Sequence, residues 1–152
     1  MGDPYIQKMT NRSFFAAKTG MRGRVVVVLR GTLENRSLAL ITPISRAFPA
    51  GSIIELIGTD EAAAAPGGSV EKIAYIAFVE LIDGGVLLAG DPVFINGTQV
   101  GTIVGFDDTH VPNHQNTILR VEKRIPGDAL GLRPGDPVAI PGFQSPHSSE
   151  RT

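Results

Sequence analysis

The sequence predicts an all-β protein, a small closed β-barrel of six to eight strands built from repeated turn–strand units. A nine-residue phrase recurs: residues 89–97 (AGDPVFING) and 134–142 (PGDPVAIPG) agree at six of nine positions, and residues 50–58 (AGSIIELIG) form a looser third copy. The 18 glycines and 11 prolines are typical of short strands joined by turns. One such unit cannot bury its apolar face alone, so the copies must pack together, and closing the sheet removes its edges. An open sandwich is the alternative.

Taken in order, the chain begins with a predicted N-terminal arm, residues 1–22, that holds one short helix over residues 13–18. Residues 23–30 (GRVVVVLR) predict a buried strand, because β-branched residues favour strands and glycines border the run. Residues 59–69 (TDEAAAAPGGS) predict either one helical turn or a loop. The remaining predicted strands, each bordered by turn residues, are 37–44, 52–57, 70–80, 93–95, 98–106, 117–122 and 138–140.

The turns between these strands have their own chemistry. Asn96-Gly97, between two apolar runs, predicts a two-residue hairpin, because both positions of such a turn need positive φ. In each Gly-Asp-Pro sequence the glycine supplies positive φ, and the proline takes the first strand position, where no N–H is needed. Asp91 and Asp136 are expected to accept a backbone N–H across these turns. A pair of catalytic aspartates is the alternative.

The composition limits the class of protein. The chain has 152 residues and a formal charge of −1, which suits one domain, residues 23–143, and argues against a general binder of nucleic-acid backbones. It has no cysteine, so disulfides and thiol chemistry are excluded. No apolar run approaches the roughly 18 residues of a membrane span, and no signal peptide is recognised, so we expect a cytoplasmic protein. Residues 144–152 are expected to form a disordered polar tail.

Reactive side chains are concentrated in one segment, residues 107–116 (DDTHVPNHQN). Pro112 argues against a helix here, but a loop can fold its histidines around a ligand or use them as acid and base near neutral pH. A polar surface loop is the plain alternative. The candidate ligand-binding residues of the segment are Asp107, Asp108, His110, Asn113 and His114. No metal site is predicted. If a metal ion were bound, its candidate ligands would be His110, His114 and Asp108.

A second group of candidates is basic. Arg120, Lys123 and Arg124 surround the predicted strand over residues 117–122. Arg120 and Arg124 can hold a phosphate or carboxylate group if they converge with the histidines. A solvated strand face, balanced by acidic neighbours, is the alternative interpretation.

Two stretches resemble known barrel families. Residues 90–108 (GDPVFINGTQVGTIVGFDD) resemble the barrel half of the enzyme IIA component of the glucitol/sorbitol phosphotransferase system, which has a similar Gly-Asp turn, hairpin and Val-Gly ending. Residues 109–123 (THVPNHQNTILRVEK), with the closing segment 129–140 (ALGLRPGDPVAI), are similar to the end of archaeal CTP-dependent riboflavin kinases. Both resemblances imply a small β-barrel, and neither carries over a mechanism.

Two classes of function follow. The first is a non-catalytic barrel module that binds a small molecule, with an anionic ligand as the candidate, or a protein partner. It is expected to be a homo-oligomer and to bind neither nucleic acid nor membrane. The second is a transferase-like enzyme acting on a phosphorylated or anionic substrate. That enzyme would use His110 or His114 as acid or base and Arg120 or Arg124 to clamp the anion, so it requires these side chains to meet at one point. The sequence names no cofactor.

Overall fold

A computed structural model describes residues 17–143, all of them strand, turn or irregular backbone. Among these residues no helix is long and apolar enough to cross a membrane. Most of the predicted helix over residues 13–18, and the whole predicted tail over residues 144–152, lie outside the described range. The strands are β1 (Met21–Val28), β2 (Thr32–Leu33), β3 (Leu38–Ala39), β4 (Ser45–Phe48), β5 (Ile53–Thr59), β6 (Ser69–Val70), β7 (Ile73–Leu81), β8 (Gly85–Leu88), β9 (Pro92–Ile95), β10 (Thr98–Asp107), β11 (Gln115–Arg120) and β12 (Pro137–Ile140).

Seven of these strands form a closed barrel in the order β1-β12-β9-β10-β11-β5-β7, and β7 pairs back onto β1. Strands β11 and β5 run parallel, and the other six neighbouring pairs are antiparallel. β2 adds a short eighth strand beside β7. The all-β barrel of six to eight strands is therefore confirmed. Closure pairs the strands of the ring on both sides, which protects the sheet from edge-to-edge association.

Two short ribbons lie outside the ring, β3 with β6 and β4 with β8. The single strand predicted over residues 37–44 is wrong: only β3 lies within it, and β4 follows. Likewise the predicted strand over residues 70–80 divides into β6 and β7. The reason is that residues 38–41 cross the outer face of the barrel, where Ile41 N–H bonds to Phe106 O at 2.8 Å, instead of joining the ring.

The chain buries two apolar clusters, one on each side of the sheet. Leu56 and Phe106 belong to the large cluster inside the barrel. Ile57 and Ile118 belong to a smaller cluster on the outer face, covered by Leu38 and its neighbours. Because β5 contributes to both clusters, its residues are buried on both faces, which explains its nearly continuous apolar sequence.

The three copies of the recurring phrase fold into the same turn, here called the first (residues 50–53), second (residues 89–92) and third (residues 134–137) turn. Each has its glycine at positive φ, and each exchanges two backbone hydrogen bonds with one residue of a neighbouring strand. In the first turn Gly51 N–H donates to Leu81 O, and Leu81 N–H donates to Ser52 O. In the second turn Gly90 N–H donates to Ile103 O, and Ile103 N–H donates to Asp91 O. In the third turn Gly135 N–H donates to Val25 O, and Val25 N–H donates to Asp136 O.

Side chains complete these turns in two ways. Asp91 accepts Leu88 N–H at 2.9 Å, and Asp136 accepts Arg133 N–H at 2.8 Å, as predicted. The first turn has Ser52 in the aspartate position, and the residue three places before it is a proline, which has no N–H to donate. There the Ser52 hydroxyl donates to the Pro49 carbonyl at 2.7 Å instead.

Candidate functional site

A row of polar side chains crosses three strands on the outer face of the barrel. Asp107 of β10 stands opposite Asn116 of β11, and Asn116 stands opposite Glu55 of β5. Opposed residues on paired strands project from the same face, and all three of these are buried. Buried polar groups need partners, so apolar packing alone does not explain this polar row (Asp107, Asn116 and Glu55).

Asp107 has a full set of partners. It accepts hydrogen bonds from Thr109 N–H at 2.9 Å, from the Asn116 amide at 3.1 Å and from Ala39 N–H at 3.2 Å. Burial raises the pKa of Asp107, but the hydrogen bonds from Thr109, Asn116 and Ala39 outweigh it and hold the pKa below its usual value. This carboxylate therefore stays ionised and ties β10, β11 and residue 39 together.

Glu55 is in the opposite situation. Burial is the largest influence on its pKa and raises it, whereas His114, His110 and Arg36 act to lower it. His114 Nε2 lies 3.0 Å from Glu55 Oε1, and the side chains are only 12% and 9% exposed respectively. A buried carboxyl group with a raised pKa beside an imidazole can exchange a proton with it, a combination common at functional sites.

The loop between β10 and β11 holds His114 in place. Its Nδ1 lies 3.1 Å from Asn113 Oδ1, its ring meets Phe78 edge-on at a centroid distance of 4.8 Å, and the His110 ring stacks on it at 5.0 Å. Turn bonds from Asn113 N–H and His114 N–H to His110 O shape the loop. The loop thus fixes one imidazole and leaves His110 exposed above it.

His114 also borders an open cleft of about 380 Å³, here called the rim cleft. Arg46 of β4 lines the same cleft, together with the apolar side chains of Phe48, Val111 and Pro112. Arg46 makes one long ion contact, 3.5 Å from Nη2 to Asp108 Oδ1. The cleft therefore combines a guanidinium group, an imidazole and an apolar wall.

The structure brings together five of the seven residues selected from the sequence. Asp107, Asp108, His110, Asn113 and His114 lie at or beside the start of β11. Asp108 accepts a hydrogen bond from the Gln115 amide at 2.9 Å.

Arg120 and Arg124 do not join them. Arg120 ends β11, which at about 3.3 Å per residue places it roughly 17 Å along the strand from Gln115. It donates to Ala64 O at 2.8 Å, and Arg124 pairs with Glu34 at 3.0 Å and Asp60 at 3.3 Å. In this arrangement the four side chains that the enzyme hypothesis requires do not meet at one point.

Sequence reasoning missed Glu55 and Arg46. The pattern that points to Glu55 is a lone carboxylate inside the apolar run IIELI, where burial on both faces leaves no solvent for it. Arg46 belongs to a strand that was not recognised. No group of three or more His, Cys, Asp or Glu side chains within residues 17–143 is arranged to hold a metal ion.

Comparison with known proteins gives one match. No curated protein and no solved structure matches the chain, and the resemblances to the enzyme IIA component and to the riboflavin kinases are not confirmed. The model of a family of unknown function, DUF6917, matches residues 15–141. Since that match covers most of the chain, the protein belongs to the DUF6917 family.

Proposed function

We propose that this protein binds a small anionic molecule in the rim cleft and does not act on it chemically. The observation that carries the proposal is that Arg46 and His114 line one cleft and that the ion contact of Arg46 with Asp108 is long, at 3.5 Å. Glu55 is turned to His114, and Asp107 is saturated with donors. The Arg46 guanidinium group therefore offers hydrogen-bond donors to a ligand in the cleft.

The shape of the cleft supports a ligand with two parts. A guanidinium group presents a planar set of donors that matches a carboxylate or phosphate, so the anionic part would lie against Arg46. Phe48, Val111 and Pro112 would cover a small apolar part. A volume of about 380 Å³ is at the lower end for small-molecule sites and suits a compact metabolite.

The test is a titration of the full-length protein with inorganic phosphate and with malonate, followed through the NMR signals of the His114 ring. The wild type should show saturable shifts. Arg46→Gln should weaken binding by about tenfold or more, as expected for loss of a charged hydrogen bond. Arg120→Gln is the matched control and should leave binding unchanged. Equal effects of the two variants, or no shift with either anion, would contradict the proposal.

Acid–base catalysis is the second candidate, and the Glu55–His114 pair favours it. A carboxyl group with a raised pKa at 3.0 Å from an imidazole is suited to passing a proton to or from a bound anion. Glu55→Gln distinguishes the two candidates. A binding module should keep its anion affinity in this variant, whereas an enzyme should lose kcat with KM nearly unchanged.

We also propose a homo-oligomer. Three apolar side chains near one another in sequence remain exposed: Val26 at 36%, Val27 at 45% and Leu33 at 43%. Exposed apolar surface of this kind is typical of interaction sites when it is continuous. Native mass spectrometry of protein purified without chelator counts the subunits and detects a retained ligand in the same measurement.

A further inference from the structure

An open groove of about 730 Å³ lies at the opposite end of β11 from the rim cleft. Residues 98–102 and Val104 of β10 form one side of it, and residues 120–123 with Ile125 and Leu130 form the other. At about 3.3 Å per residue, residues 98–104 extend for roughly 20 Å along this groove, here called the β10 groove. It shares no lining residue with the rim cleft, and its volume is within the range of small-molecule sites.

The apolar surface of the β10 groove is aliphatic. Val100 and Val121 line it and also pack against the large cluster inside the barrel, so the groove continues the core outward. Ile125 and Leu130 line it as well and remain 37% and 40% exposed. In the described part of the chain neither of these two side chains belongs to an apolar cluster. Exposed apolar side chains beside a concave apolar surface are typical of a binding site.

The loop that carries these two exposed side chains is fixed by its backbone. Gly127 N–H donates to Tyr75 O at 3.0 Å, and Asp128 N–H donates to Leu29 O at 3.0 Å. Gly127 approaches β7 so closely that a Cβ there would collide with the backbone of that strand. None of these contacts uses the exposed apolar side chains. This wall of the groove is therefore in place before a ligand binds, which lowers the entropic cost of binding.

Three charged residues line the β10 groove: Arg120, Glu122 and Lys123. The Arg120 guanidinium group donates from Nη2 to Ala64 O at 2.8 Å, and its charge is offset by that of Glu122. Lys123 is exposed, and its side chain makes no hydrogen bond or ion pair with any other residue between 17 and 143. The groove thus has an excess of one positive charge, on an ammonium group that is open to a ligand.

We propose that the β10 groove binds a medium-chain aliphatic carboxylic acid, with its alkyl chain on Val100, Val121 and Leu130 and its carboxylate at Lys123 Nζ. The aliphatic wall favours an alkyl chain, which gains free energy by leaving water. The excess positive charge favours an anion over a neutral molecule of the same length. Because Lys123 is exposed, the carboxylate keeps part of its hydration and avoids the cost of burying a charge. The site does not depend on the anion proposed for the rim cleft.

Three probes separate the contributions of the chain and of the charge. Octanoate, octan-1-ol and acetate are each titrated into the full-length wild-type protein, and the backbone amide signals of Val100, Val121 and Ile125 are followed by NMR. Octanoate should shift these signals saturably. Octan-1-ol, which lacks the charge, and acetate, which lacks the chain, should each bind about fivefold more weakly or not at all. No shift with octanoate, or equal binding of octanoate and octan-1-ol, would overturn the proposal.

Octanoate is an anion and can also enter the rim cleft, so the two sites must be told apart. The titration is repeated with Arg46→Gln, the variant that tests the rim cleft. The amide signals of the β10 groove should give the same octanoate affinity as in the wild type, whatever happens to the His114 ring signals. Loss of the groove shifts in Arg46→Gln would show that the β10 groove is not a separate site.

Lys123→Gln tests the assigned cation. Its matched control is Lys72→Gln, at another exposed lysine that does not line the groove. Octanoate affinity should fall by about fivefold in the first variant, which is what an exposed ion pair contributes, and stay unchanged in the second. Equal affinities of Lys123→Gln and the wild type would refute the role of Lys123.

Leu130→Asn tests the apolar wall, and Ile82→Asn is its control, since Ile82 is similarly exposed at 44% but does not line the groove. Both side chains are already partly in water, so thermal unfolding should show that both variants fold. Leu130→Asn should weaken octanoate binding about fivefold or more, and Ile82→Asn should leave it unchanged. An unaltered octanoate affinity in Leu130→Asn, or an equal loss in both variants, would rule out the assigned position of the alkyl chain.

Discussion

The second and third turns of the barrel share the sequence Gly-Asp-Pro-Val and the same hydrogen bonds, yet their surroundings differ. Asp91 is 1% exposed and lies against the Lys18 ammonium group, whereas Asp136 is half-buried. The phrase encodes the turn, because its glycine, aspartate and proline act locally. Burial of the aspartate depends on a residue more than 70 positions away, which the phrase does not contain.

The largest difference between the two turns should appear when each aspartate is removed. Asp91→Ala leaves the Lys18 charge buried without a counter-ion and the Leu88 N–H without its acceptor, so we expect a loss of about 3–5 kcal/mol. Asp136→Ala removes one partly exposed hydrogen bond and should cost about 1 kcal/mol. Chemical denaturation measures both. Similar losses would mean that the Lys18 pair adds nothing to the second turn.

A double-mutant cycle sharpens this comparison. Asp91→Asn keeps an acceptor for Leu88 N–H but removes the charge, and Lys18→Met removes the ammonium group. Each single variant breaks the ion pair from one side, so the double variant should be more stable than the summed losses of the two single variants predict, by about 1–3 kcal/mol. The cycle of Asp136→Asn with Lys18→Met is the control and should be additive.

Substitution of the turn glycines should show where the second and third turns are alike. Gly90 and Gly135 have φ values of +100° and +93°, and a Cβ at either would find no atom within 4 Å. Alanine at each position therefore suffers only backbone strain, about 1–2 kcal/mol in both cases. Equal losses in thermal unfolding would confirm that the two turns share their backbone energetics. A much larger loss at Gly90 would show that burial contributes there too.

The first turn supplies the smallest expected effect. Ser52→Asp introduces the aspartate of the other two turns, but Pro49 has no N–H to donate to it, and the Ser52 hydroxyl bond to Pro49 O is lost. We expect a loss of about 1 kcal/mol. Adding Pro49→Ala supplies the missing donor and should recover part of it. A Ser52→Asp variant as stable as the wild type would show that the hydrogen bond from a backbone N–H to the turn aspartate does not stabilise these turns.

The sequence predicted the barrel because its evidence is local: turn residues, apolar runs and a recurring phrase. The strand order could not be predicted, since it depends on contacts between distant segments. Strands of two to four residues, such as β2, β4, β6 and β8, are too short to show a periodicity, and so the position of Arg46 was missed.

The candidate site also has a part that could be predicted from local sequence and a part that depends on distant contacts. The loop residues were found because they are consecutive, and the loop folds on itself. Glu55 was missed because its contact with His114 spans 59 residues and depends on the parallel register of β11 and β5. Arg120 and Arg124 were candidates only if they converged with the histidines, to which they are near in sequence. An extended strand separates its two ends by its whole length, so β11 keeps them apart.

The parallel pair in the barrel has a simple arithmetic cause. Strands around a ring can alternate up and down throughout only if their number is even, and seven is odd. At least one pair of neighbours must therefore point the same way, and the chain places that mismatch between β11 and β5. No hairpin can join such a pair. The parallel pair that an odd number of strands requires, β11 with β5, is also where Asn116 and Glu55 stand side by side.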